Sequence, residues 1–330
     1  QMAMQLGHPE NGYQLNVVWL RLYTSSRLLI CPLTTKSELR SSTMSELSSF
    51  LFKLANGLTF AGLLFMIASG FTLIFGLMRV VNMAHAVFYI LAGYVAWTVQ
   101  EAGSSWIIAI IAGTLAVAVT ALLVELLVRR VKGDLPQTLL TLGIGIVIAD
   151  LSLWYWGGGP RTIDAPDFLR QPVTIAGFTY PGYRYFVLIL ALLVGFGLWL
   201  LLTRTQIGRI IRAGVDNRPM VSALGINIDR LFTLVFVLGG SLTGLAGAVG
   251  GSYLAIGPGK DLEILLFALV VVIIGGLGSV PGSAAGAIIV GLVDSFGRSY
   301  FSELAIFLLS GTLLVILGFR PEGLFGKKEQ

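Results

Sequence analysis

Asn82, His85, Asp150 and Asp294 are polar residues inside otherwise apolar runs. A polar or ionisable group in a lipid-facing stretch is costly, so each is a candidate for a wet path that hands a solute or a proton across a membrane. Asn82 and His85 are three residues apart, a spacing that predicts one helical face and equally allows a bond to a neighbouring span. Asp150 and Asp294 either line a wet cavity or lie near a span end. No catalytic constellation accompanies them. The two histidines, His8 and His85, form no HExxH pair, and no GxSxG elbow occurs. The GPGKD around Lys260 lacks the first glycine of a phosphate loop and carries Asp261 where Ser or Thr would bind the metal ion. The GIG at 143–145 lacks a third glycine and a strand, so it is no dinucleotide fingerprint. Cys31 is the sole cysteine, which excludes an internal disulfide and a cysteine-rich metal site. These absences predict a chain without its own cofactor; any ATP would be bound by another subunit.

Membrane spans carry these groups. Of 330 residues, 55% are hydrophobic and 12% charged, with a mean hydropathy of +0.86. A soluble protein of this length needs a far more charged surface. Runs of roughly 18 or more apolar residues match the bilayer core and barrel-type alternation is absent, so the fold class is all-α, a polytopic helical membrane protein of about eight or nine transmembrane helices. Spans are read near 54–78, 80–99, 105–128, 135–156, 184–203, 231–256, 262–280, 283–300 and 304–319. The formal charge of +5 comes from short loops without a basic groove, which argues against nucleic acid. Arg129, Arg130 and Lys132, the Arg204 to Arg218 cluster, and Arg320, Lys327 and Lys328 all fall on one side when nine spans are counted. The positive-inside rule makes that side cytoplasmic, with the amino terminus and the 157–183 loop outside and Trp154, Tyr155 and Trp156 at the membrane edge.

Residues 1–43 differ from the rest, with Ser and Thr clusters and only short apolar patches. Met44 opens a sequence like an ordinary amino terminus, so 1–43 reads as a disordered extension or mis-set start, and 44–330 as the transmembrane domain. The longest polar interruption later in the chain is 203–229. There Ile207, Ile210, Ile211, Met220, Val221 and Leu224 recur at helical spacing, Asp216 and Asn217 offer caps, Pro219 starts a helix and Gly225 stops it. A short capped amphipathic helix between two spans suits contact with a soluble partner. Glycines are dense further on: Gly240, Gly244, Gly247, Gly250 and Gly251, then GGLGSVPGSAAG from Gly275. The former allow close helix approach; the latter predicts a broken helix whose freed backbone groups must face protein or water.

Three stretches together resemble the LivH-like permease of branched-chain (hydrophobic) amino acid ABC importers. They are NGLTFAGLLFMIASGFTLIFGLMRVVNMAHAVFYILAGY at 56–94, GRIIRAGVDNRPMVSALGINIDR at 208–230, and GGLGSVPGSAAGAIIVG at 275–291 followed by RPEGLFG at 320–326. The resemblance covers about residues 54–326. It implies a type II ABC importer-like permease in a bacterial cytoplasmic (inner) membrane. The implied partners are cytoplasmic ABC ATPase subunits, a second permease, LivM-like or identical, and an extracytoplasmic solute-binding protein. It further implies that 206–225 is the coupling helix, with Gly208, Arg209, Arg212, Asp216, Met220, Ala223, Leu224 and Gly225 as the ATPase contact and Asn82 and His85 on the substrate path. Where the family commonly carries Gly-Glu after the histidine, this chain has Ala86 and Val87. Related permeases carry urea, short amides or aromatic carboxylates, and that alternative stays open at this level. A secondary transporter would need an acidic relay at midplane, for which Asp150 and Asp294 alone are thin support.

Overall fold

The computed structural model describes residues 36–175 and 178–326; the chain divides into a unit Gln1–Met44 and a unit Ser45–Gln330. Nearly all of the expectation for 1–43, with Cys31 and His8, lies outside the described residues, as do Lys327 and Lys328. Twelve helices are described: α1 (Lys36–Met78), α2 (His85–Glu101), α3 (Trp106–Val128), α4 (Asp134–Trp156), the short α5 (Asp167–Arg170), α6 (Gly182–Arg204), α7 (Gln206–Asp216), α8 (Arg218–Ala223), α9 (Ile228–Gly250), α10 (Lys260–Gly275), α11 (Val280–Tyr300) and α12 (Ala305–Phe319). Between α5 and α6, β1 (Pro172–Ile175) and β2 (Phe178–Pro181) form an antiparallel hairpin that pairs Val173 with Tyr180.

Nine of these helices, α1 to α4, α6 and α9 to α12, coincide with the nine apolar runs, and six of them are long and apolar enough to cross a membrane unaided. The chain is a multi-pass helical membrane protein. The other three, α2, α10 and α12, are shorter than the runs that announced them. The 80–99 run becomes helical only at His85, 231–256 stops at Gly250, and 262–280 stops at Gly275. Apolar composition marks membrane depth, and backbone breaks inside it are set by local turn chemistry that hydropathy does not register.

Burial orders the helices. Of the most apolar window of α1, 83% is buried inside the protein, against 11% for α4, so α1 is central and α4 peripheral. Lipid tails are as apolar as leucine, so close backbone packing, rather than exclusion of water, drives assembly here. Gly70 of α1 faces Gly239 of α9 so closely that a Cβ on Gly70 would collide with the Gly239 carbonyl. The α9 glycines continue this face: Gly240 meets Phe88 and Ala121, Gly244 meets Val117, and Gly247 meets the Tyr89 backbone. The resulting seam joins α1, α2, α3 and α9 and buries Phe71, Phe88 and Phe236.

The break expected at Gly275 is present, and the carboxyl-terminal tail completes it. Gly276 (φ +99°) and Gly278 (φ +81°) turn the chain through left-handed conformations. Ser279 then caps α11, its hydroxyl accepting from Gly282 N at 3.1 Å. The carbonyls of Ile274 and Gly275 accept instead from Leu324 N at 2.8 Å and Phe325 N at 3.0 Å. The RPEGLFG segment therefore supplies the donors that the broken helix requires.

Candidate functional site

The four intramembrane candidates fall in three places. His85 opens α2 and is fully buried. Its Nε2 lies 3.0 Å from the Ile67 carbonyl and 2.6 Å from Thr243 Oγ1, while the Thr243 hydroxyl donates to the Gly239 carbonyl at 3.3 Å. This network assigns the proton to Nε2 and leaves Nδ1 without a partner among the described residues. Asn82 does not share a helical face with it. It lies in the turn 79–84 before α2, where its Oδ1 accepts from Ala84 N at 3.1 Å. The local side-chain bond holds a turn in place of helix, which is why a three-residue spacing misled. Asp150 is exposed on the outer face of α4 between Val147 and Trp154. Asp294 lines a cavity.

That cavity, about 860 Å³, lies at the hairpin end of the bundle. Its wall draws on the first turns of the apolar part of α1, the hairpin, α6, the segment after α9, and the facing ends of α10 and α11. The hairpin is fixed to α1 by Tyr180, whose hydroxyl donates to Asn56 Oδ1 at 2.9 Å and lies 3.1 Å from Thr59 Oγ1. Arg184 also donates to Asn56 Oδ1, and its guanidinium stacks 5.0 Å from the Tyr253 ring centre. Burial pushes the Tyr180 and Tyr253 phenols up, so both stay neutral beside this cation. On the opposite wall Arg298 holds both Asp294 oxygens at 2.9 Å and reaches Glu263 at 3.9 Å, while Lys260 pairs with Glu263 at 2.5 Å. Lys53 lies 3.9 Å over the Tyr300 ring. The floor is apolar, with Phe60 edge-on to Phe267 at 5.2 Å.

At the other end, the amphipathic segment is two helices in place of one. Thr205 caps α7, accepting from Gly208 N at 3.0 Å, and Asn217 caps α8, accepting from Met220 N at 3.1 Å. Asn217 is extended (φ −153°), so it divides the 206–225 segment while serving as the cap that the sequence predicted for the helix started by Pro219. Gly208 packs tightly on the carbonyls of Leu201 and Leu202, folding α7 back on α6. Ile211 joins Leu73, Leu77, Leu198, Leu231 and Val235 in a buried cluster, and Gly214 rests on Leu77. The end of α1 is thus seated on α7. Arg209, Arg212 and Ala223 are exposed, and Met220 and Leu224 are 64% and 73% exposed. Gly225 ends the segment at φ +78°. The side chain of Asp216 lies outside the described part of the structure. Arg129, Ile207 and Arg230 line one groove, so the basic end of α3 lies at this same end.

Sequence reasoning missed Lys53, Arg184, Glu263 and Arg298. A cation two residues into an otherwise apolar helix, as at Arg184, is the signal that was available. It also missed buried Glu125 of α3, which accepts from Thr233 at 3.0 Å and pairs with Arg129 at 3.2 Å.

The model of the family described as the branched-chain amino acid transport system permease component matches residues 53–317. The chain belongs to this family. Among curated family relatives, the high-affinity branched-chain amino acid transport system permease protein BraD of Pseudomonas aeruginosa is 26% identical, over 87% of this chain and 99% of its own length. Its counterpart LivH of Escherichia coli is 26% identical, over 85% of this chain and 96% of its own. The fructose import permease protein FrcC of Rhizobium meliloti is 29% identical over 58% of this chain and 55% of its own length. As a member of a permease family of transport systems, the chain is a transport component, and its amphipathic α7–α8 segment and the glycine seam both lie within the matched region.

Proposed function

We propose that this chain is the membrane-spanning permease subunit of an ATP-driven importer of branched-chain amino acids. The family match over residues 53–317 carries this reading, and the names of the relatives that cover nearly the whole chain support the substrate. ATP is bound by separate ATPase subunits docked on α7 and α8, a second permease pairs with this one, and a solute-binding protein delivers to the hairpin end. The α7–α8 end carries the basic loops and faces the cytoplasm; the hairpin, the amino terminus and the cavity face outside.

The geometry provides a lever. Arg209, Arg212, Met220, Ala223 and Leu224 are offered outward, while Ile211 and Gly214 grip Leu73 and Leu77 of α1. Movement of α7–α8 by closing ATPases passes to α1, whose opposite end walls the cavity beside Asp294. ATP binding thereby biases the bundle between outward- and inward-open states. His85 and Asn82 act on the path from behind, holding the α1–α2–α9 seam in register.

The test is uptake into proteoliposomes that hold the chain with its partner subunits, using labelled leucine, an aromatic carboxylate, urea and fructose. Leucine uptake that needs both internal ATP and the external binding protein is the expected result. Uptake of another solute alone would displace the substrate, and uptake without ATP would replace the importer with a secondary transporter.

A further inference from the structure

The hairpin-end cavity gathers more cations than carboxylates. Arg298, Asp294, Glu263 and Lys260 form a connected network in which each carboxylate already meets a cation. The other two lining cations, Lys53 over Tyr300 and Arg184 over Tyr253 with a hydrogen bond to Asn56 Oδ1, meet no carboxylate in that network. Four cationic and two anionic side chains therefore share one cavity whose remaining lining includes Phe60, Ile264 and Phe267. Cations over rings are only partly compensated, because a cation–π contact at a wet site is worth about 0.5–1 kcal/mol. A carboxylate entering between them gains charge-assisted hydrogen bonds from both.

We propose that this cavity is a binding site for a free zwitterionic amino acid with an apolar side chain. Lys53 and Arg184 take the α-carboxylate, Asp294 and Glu263 face the α-ammonium, and the side chain lies on the Phe60–Phe267 pair. Charged groups fix orientation while the apolar floor admits side chains of similar size. A neutral amide or a sugar leaves the cations unmatched. This assignment rests on the proposed amino acid importer and adds where, outside the membrane core, the substrate is first held by the permease itself.

Because Cys31 is the sole cysteine, a Cys31→Ser background permits thiol mapping in the assembled transporter. Ser299→Cys puts a thiol on the cavity wall at an exposed position. An anionic methanethiosulfonate is expected to react there at least threefold faster than its cationic analogue. Leucine at millimolar concentration should slow that reaction at least fivefold, with leucine amide and 4-methylpentanoate each protecting clearly less. Lys53→Met, at a half-buried side chain, should abolish the leucine protection while Lys53→Arg keeps it. Equal protection by all three compounds, or none by leucine, overturns the site. The same cysteine-substituted complex is assayed for ATP-dependent leucine uptake: uptake without protection defeats the site and leaves the importer standing, whereas absent uptake by the unmodified complex defeats the importer itself.

Discussion

The seam between α1, α2 and α9 and the cavity at the hairpin end are built from opposite materials. In the seam, small residues bring backbones into contact, and the imidazole of His85 is enclosed with its Nε2 held by two oxygens. In the cavity, long charged side chains reach inward from four helices and hold one another through salt bridges or rest on rings. A close-packed interface has few alternative arrangements, whereas flexible charged side chains around a wet space have many. The difference divides labour within one chain. The seam is the rigid body, the cavity is where a ligand makes a difference, and α7–α8 sits on the far end of the helix that belongs to both.

The largest effect is expected from crowding the seam. Gly70→Val drives a side chain into the Gly239 carbonyl, and a loss of at least about 3 kcal/mol is expected, read as loss of the monodisperse complex in detergent chromatography. A well-folded variant would show that the seam is not rigid. Next in size is the α7–α8 end, where the ATPase is proposed to dock. Gly225→Pro cannot adopt φ +78°, and combined with Arg212→Glu it should weaken ATPase association at least tenfold in detergent pull-downs while helical content is unchanged. Thr243→Val removes one acceptor from His85 and should lower the thermal unfolding midpoint, at a cost of about 1–2 kcal/mol, leaving leucine protection of the cavity intact. At the small end, Gly143→Ala on peripheral α4 meets open space and should shift stability by less than about 0.5 kcal/mol in the same melt.

The spans were legible because a hydrocarbon core demands long apolar runs, and all nine runs became helices. The α8 start was legible too, since Asn217 and Pro219 are local signals read within one turn. The break at Gly275 could be read as a break, yet its partner, the 324–325 backbone, lies fifty residues on and left no periodic trace. Asn82 misled because its side chain overrides helix formation through a bond to Ala84 that spacing does not encode. The cavity was least legible of all. Its wall joins Lys53, Arg184, Glu263 and Asp294 from four elements spread over more than two hundred residues, and only Asp294 stood out, as an acid within an apolar run.

The proposed lever carries movement at α7–α8 to the hairpin-end cavity through α1. Spin labels at Thr179→Cys and Ser299→Cys, on the Cys31→Ser background, report the distance between two cavity walls in the assembled transporter. Trapping ATP on the ATPases should shift that distance distribution, and the Gly225→Pro, Arg212→Glu variant should abolish the shift. An unchanged distribution in a complex that hydrolyses ATP and carries leucine would contradict the claim.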